Sequence, residues 1–259
     1  MASPAGASGE RKDLCLDRFI YTAMTGASAA AHRQQVLSNN LANVSTTGFR
    51  AELSTFRAVP IRGDGASTRV FALEATAGHS SLPGSVQQTG RNLDIAAQGD
   101  AWFAVQGLDG TEAYTRAGAL QVNADGTLVN AAGLPMLGDG GPIVIPENAR
   151  VDIGADGTIS TRVGNEPGQV AGRLKMVVPD ADNPLARGDD GLFRAGPDPL
   201  DADPNARLQD GALEGSNVNP DEAMVGMIAA SRQFEYQMRM LQNGEGNDRS
   251  ASQLLSANG

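Results

Sequence analysis

Between Asp17 and Thr47 the small and apolar residues return at steps of three and four. Ile20, Ala23, Ala27, Ala30, Gln34, Leu37, Leu41 and Val44 fall on one stripe of a helix, a heptad seam. Most of these side chains are small, so a partner helix can approach closely. Gly48 follows as a helix stop. The far end of the chain repeats the design. Asn219 is placed to cap a helix, with Pro220 at its first position and Asp221 and Glu222 in its first turn. Met224, Met227, Ser231, Phe234, Met238 and Leu241 then step three and four again. Gly244 and Gly246 are expected to weaken or break this helix, and 251–256 to form a final turn or two.

The middle of the chain has another period. Asp-Gly pairs begin at Asp64, Asp109, Asp125, Asp139, Asp156, Asp190 and Asp210. Such pairs suit tight turns, because glycine takes positive φ without steric cost. Between them lie short β-type runs at 101–105, 119–122, 142–145, 151–153, 158–161 and 173–178, with 191–194 as one more. Many short strands separated by glycine turns indicate an all-β domain, an irregular sandwich or barrel. The fold class is therefore mixed and mainly β. N- and C-terminal helices form a coiled-coil-like domain around a central β domain. The expected segments are a disordered extension at 1–16, a helix and turn at 17–50 and an extended linker at 51–90. The β domain follows at 91–212 and the C-terminal helix at 213–259. Residues 1–16 are small, polar and aperiodic. Leu16 stands where the ordered pattern begins, as it would if the native start lay at that codon. Two long helices cannot both be buried by a small β domain. They pair with each other or with copies of themselves.

Composition narrows the function. The 259 residues carry 20 Lys+Arg against 30 Asp+Glu, a net charge of −10. That balance argues against binding nucleic acid or an anionic membrane surface. No run of about 18 apolar residues crosses a membrane. No apolar segment follows Arg11 and Lys12, so no cleaved secretion signal is expected. On these grounds alone the default compartment is the cytosol. Cys15 is the only cysteine, so neither an intrachain disulfide nor a cysteine-based zinc site is available.

A search for chemistry finds little. The chain has two lysines, Lys12 and Lys175, and neither stands in a phosphate-binding loop. No nucleophile elbow or paired-histidine zinc helix occurs. Asp201, Asp203 and Asn205 begin like a calcium loop, but Ala206 replaces the turn glycine and Ala212 the bidentate glutamate. Asp180 and Asp182 are followed by Pro184, which supplies no side-chain oxygen. His32 reads as a surface or interface residue and His79 as a loop residue. Trp102 and Phe103 read as core. Arg91, Asp94, Asp100 and Arg116 could make a polar site, but read better as turn-supporting hydrogen bonds and ion pairs. No catalytic residue, metal or cofactor is expected, and the chain is not read as an enzyme.

One stretch is distinctive: Ser38-Asn39-Asn40-Leu41-Ala42-Asn43-Val44-Ser45-Thr46-Thr47-Gly48-Phe49. Three asparagines on a helix are poor for intrinsic stability. They make sense if their amides hydrogen-bond across an interface. The stretch resembles the signature of the flagellar rod and hook proteins. Further blocks agree in order: 93–96 with 99–105, 114–118, 125–129, 133–138, and 213–218 before the last helix. Within the family, 17–24, 57–60, 188–194 and 253–256 resemble a proximal rod member. A distal rod or hook-type protein is the alternative.

The resemblance implies a structural subunit that polymerises through its terminal helices into a hollow drive shaft. Its partners would be other rod subunits, copies of itself and the flagellar export apparatus. It would leave the cell without a cleaved signal and assemble across the periplasm, which replaces the cytosolic default. The terminal helices would stay unpaired until assembly. Leu37, Leu41, Val44, Met227, Phe234 and Met238 would carry helix packing. Asn39, Asn40, Asn43 and Asn217 would carry interface hydrogen bonds.

Overall fold

The computed structural model describes residues 9–60, 70–164, 167–180 and 182–256. Residues 1–8 of the expected extension and the Asp64-Gly65 turn lie outside the described residues. The chain divides into two compact units. One is built from the two ends of the chain together with residues 52–77. The other comprises 42–51 and 78–218.

The first unit holds two long helices, α1 (Gly9–Ala42) and α2 (Pro220–Ser256). They pair within one chain rather than waiting for a neighbour. Their direction follows from two close approaches. A Cβ on Gly26 would lie 2.9 Å from Cδ of Gln237, and one on Gly226 would lie 3.0 Å from Cδ1 of Leu37. Eleven residues forward along α1 therefore match eleven residues back along α2, about three turns. The helices are antiparallel, and glycine on each side sets how near they come.

The seam on α1 is as the pattern indicates at Ala23, Ala27 and Ala30, all buried. It widens to include Ala29, Val36 and Asn40. On α2 the contact face is displaced from the expected one. Ala223 and Ala230 are buried rather than Met224 and Ser231, and Gly244 is buried further along. Small residues let the axes close up, and the bulkier methionines are left to the side.

Three helix boundaries differ from expectation. α1 begins at Gly9, inside the segment read as disordered. Glu10, Arg11, Lys12 and Leu14 are good helix formers with no breaker before Asp17, so a nucleated helix propagates through them. α1 ends at Ala42, before Gly48. α2 runs past Gly244 and Gly246 to Ser256. A glycine costs a helix about 1 kcal/mol, too little to stop one that is packed along its length. The predicted cap is present: the amides of Asp221 and Glu222 donate to Oδ1 of Asn219 at 3.1 and 3.3 Å.

The stretch expected as a linker contains β1 (Glu52–Pro60) and β2 (Val70–His79), which form a two-stranded sheet. In the second unit, short antiparallel sheets pack around two apolar clusters. The largest runs in the order Met176–Val177, Trp102–Gln106, Glu112–Thr115, Phe193–Arg194, Ala186–Arg187. A three-stranded sheet joins Ala149–Ile153, Thr158–Val163 and Gln169–Arg173. Phe103, Val105, Leu120, Leu128, Met136, Ile159 and Leu208 fill the space between them. A second cluster gathers Trp102, Tyr114, Val177 and Phe193.

Four of the Asp-Gly turns share one hydrogen-bond scheme. The amides of Gly107, Asn123, Gly154 and Gly188 each donate to the carbonyl four residues on, at 2.8–3.0 Å. The glycine of the pair sits at φ 78, 78, 85 and 78° in these four turns. In the first and third, Asp109 and Asp156 accept from the backbone and hydroxyl of the following threonine. Those bonds hold both carboxyls below their ordinary range. Gly140 departs from the pattern: the positive φ falls on Gly141. The run at 142–145 is a strand only at Gly141–Pro142, although Ile143 and Ile145 alternate inward as a strand would.

Candidate assembly interface

The distinctive residues lie at the end of α1, in the segment that follows it and in the segment that precedes α2. In the first unit, Asn40 is buried near the end of α1 and faces the start of β1. Its Nδ2 donates to the carbonyl of Glu52 at 2.9 Å, and its Oδ1 accepts from the Glu52 amide at 2.9 Å. The side-chain amide thus makes the pair of bonds that a strand would make. Asn39 reaches Oε2 of Glu52 at 3.3 Å. Asn43 accepts from the Thr46 hydroxyl at 3.1 Å in the turn that follows the helix.

In the second unit, 48–51 and 213–217 lie side by side. The Gly48 amide donates to the Glu214 carbonyl at 2.8 Å, and the Asn217 amide to the Phe49 carbonyl at 3.3 Å. Asn217 Oδ1 accepts from the Ala51 amide at 2.7 Å, and its Nδ2 donates to the Leu82 carbonyl at 2.7 Å. Gly48 has φ 68°, and a Cβ there would lie 2.3 Å from the carbonyl carbon of Arg116. Only glycine fits. Its role is this close approach, six residues beyond the helix end.

Beneath this pair of segments lies a buried ionic cluster that sequence reasoning missed. Glu214 takes Nη2 of Arg50 on Oε1 at 2.9 Å and Nη2 of Arg116 on Oε2 at 2.8 Å. It also accepts from the Gly84 amide at 2.9 Å. Arg116 donates onward to the carbonyls of Ala101, Gly99 and Ala97. Arg50 donates to the Leu82 carbonyl. Both guanidiniums lie over the ring of Trp102, at 5.9 and 5.8 Å from its centroid. Burial draws the Arg50 pKa down, Glu214 opposes that, and Arg116 adds to it. Arg116 thus makes an ion pair and a bond to the turn carbonyl of Gly99, as expected of it, but from a buried position. The available signal was a charged residue in or next to each of three blocks: Arg50 directly after Phe49, Arg116 within 114–118, and Glu214 within 213–218.

The other expected packing residues divide. Leu37 meets Gly226, while Leu41, Val44 and Met227 are half-buried. Phe234 and Met238 are 36% and 38% exposed. They have large apolar company on α2: Val225 at 66%, Ile228 at 56% and Tyr236 at 62%, with Met224 and Met240 also exposed. Tyr21 and Met24 are exposed on α1. Asn40 and Asn217, expected at subunit interfaces, are committed inside the chain.

Three family models match the chain. The flagella basal body rod protein model covers residues 20–50, the flagellar hook protein FlgE/F/G D1 domain model 96–161, and the flagellar basal body rod FlgEFG protein C-terminal model 209–254. The flagellar basal-body rod protein FlgF of Salmonella typhimurium is 46% identical over 251 residues, covering 93% of this chain and 99% of the relative. The FlgF protein of Caulobacter vibrioides is 32% identical over 250 residues, covering 93% and 98%. The rod protein FlgG of Bacillus subtilis is 32% identical over 251 residues, covering 86% and 94%. With its helix pair, its β domain and the signature segments at 38–49 and 213–218, the chain belongs to the FlgF family of flagellar basal-body rod proteins.

Proposed function

We propose that this chain is a structural, non-enzymatic subunit of the proximal rod of the flagellar basal body. It polymerises side by side with other rod subunits and with copies of itself into a hollow shaft. The shaft transmits torque and leaves a channel for exported subunits. The observation that carries this reading is the exposed apolar surface of the helices. α2 is already paired through Ala223, Ala230 and Gly244, yet it still presents Val225, Ile228, Phe234, Tyr236 and Met238 outward. A surface of that kind on a helix that already has a partner marks a further protein interface. Burial in the polymer removes it from water at roughly 25 cal/mol per Å² of apolar area.

The residues then take two roles. Leu37 and Met227 hold the helix pair. Phe234 and Met238 pack against neighbours, and Asn39, Asn43, Leu41 and Val44 lie where the end of α1 meets the next subunit. The subunit passes through the flagellar export apparatus and assembles across the periplasm. It binds no nucleic acid and does not insert into membrane.

Deletion of the gene, followed by electron microscopy of basal bodies and a swimming assay, tests the reading. Loss of hooks and filaments, restored by the wild-type gene in trans, is expected. Intact flagella in the deletion strain would overturn it.

A further inference from the structure

His79 ends β2, and its half-buried ring packs among aromatic and cationic groups. It meets Phe193 edge-on at 4.6 Å between centroids and Trp102 edge-on at 6.1 Å. Trp102 and Phe193 are themselves 4.6 Å apart. The groups packed around it come from four elements. The strand Trp102–Gln106 brings Trp102, and Phe193–Arg194 brings Phe193. The strand Ala186–Arg187 brings Arg187, whose guanidinium lies 4.7 Å from the Phe49 ring. The segment after α1 brings Arg50, and Arg116 stands over Trp102.

Charge in this region is unbalanced. Arg50 and Arg116 share one buried carboxylate, Glu214, and among the described residues no carboxylate forms an ion pair with Arg187. Asp100 is exposed and acts on Arg50 from a distance. Among the described residues, no carboxylate forms an ion pair with His79. A neutral imidazole suits this setting, as a flat ring between two aromatics. An imidazolium would be a fourth cation with no anion of its own.

We propose that His79 is an acid-sensitive latch on the junction formed by 48–51 and 213–217, the segments from which both helices depart. Neutral, it packs against Trp102 and Phe193 and leaves Glu214 to hold Arg50 and Arg116. Protonated, it repels Arg50 and Arg187 and loosens the Glu214 and Asn217 contacts. Burial, then Arg50 and Arg187, hold the ring below its ordinary 6.5. The folded chain therefore binds fewer protons than the unfolded one in mild acid. The junction's stability is complete above about pH 6.5 and falls as pH drops from there through the folded-state value.

Amide exchange at Gly48, Ala51 and Gly84 reads the junction directly, since their acceptors are the carbonyl of Glu214, Oδ1 of Asn217 and Oε1 of Glu214. The full chain is compared at pH 7.5 and 5.5, with intrinsic exchange rates corrected, as wild type and as His79→Phe. In wild type, opening at these amides increases in acid, with a ceiling of about tenfold for each unit of pKa depression. In His79→Phe, opening is the same at both values. Equal acid sensitivity in both proteins would assign the effect to carboxylates and overturn the proposal. NMR titration of the wild-type imidazole needs no variant: a pKa below 6.5 is expected, and one at or above 6.5 would overturn it.

Discussion

Arg116 donates from both Nε and Nη2 to the same oxygen of Glu214, each at 2.8 Å, and both side chains are only 2% exposed. With Arg50 on the other oxygen, two cations share one buried anion. Such a cluster is weak evidence for net stabilisation, because desolvating three charges opposes their attraction. Removing one member is a different matter. Glu214→Ala leaves two buried guanidiniums facing each other and should cost about 3–5 kcal/mol. Trp102 is the only tryptophan, and it lies under both guanidiniums. Urea unfolding followed by its fluorescence reads the loss directly.

Asn40 holds β1 with one donor and one acceptor. Asn40→Ala strands the amide and carbonyl of Glu52, a loss of about 1–3 kcal/mol for groups left without partners. Asn40→Asp separates the two bonds. A carboxylate still accepts from the Glu52 amide but has no proton to donate to the Glu52 carbonyl. Exchange at the Glu52 amide should rise sharply in Asn40→Ala and little in Asn40→Asp, while both variants lose stability.

Gly226 sets the spacing of the helices against Leu37. In an isolated helix, replacing glycine by leucine would stabilise by several tenths of a kcal/mol. Here Gly226→Leu should destabilise the pair by about 1–3 kcal/mol, the range for an overpacked contact. Faster amide exchange along 22–41, with the β domain unaffected, is the expected signature. A gain in helix protection would mean the pair is looser than the Gly226–Leu37 approach indicates.

Much of the fold is legible in the residues, and the limits have physical causes. The helix period, the Asn219 cap and about half of the central strands follow from local rules, while strands such as Ile95–Ala97, Glu112–Thr115, Leu128–Asn130 and Ala212–Glu214 lie outside the expected runs. The face of α2 does not. A stripe of methionines and a neighbouring stripe of Ala223, Ala230 and Gly244 both satisfy a three-four pattern. Only the partner helix chooses between them, and close approach favours the small one. His79 looks like a loop residue because Gly78 and Ser80 flank it, yet it ends a strand and packs on Trp102 and Phe193. The ionic cluster joins positions 50, 116 and 214. Nothing in local pattern links residues so far apart, although Arg116 and Glu214 stood in blocks whose resemblance was already visible and Arg50 directly follows one.

The most direct test of the account is the double substitution Val225→Asp and Tyr236→Asp, at positions 66% and 62% exposed, expressed in a strain lacking the gene. Both residues face outward on α2, so the unfolding midpoint of the purified subunit should be nearly unchanged, within about 0.5 kcal/mol for exposed positions. Incorporation should fail all the same, because each new carboxylate would lose its water against a neighbour's apolar surface. The account predicts a folded subunit, absent hooks and filaments, and no swimming. A folded variant that restores normal flagella would contradict it.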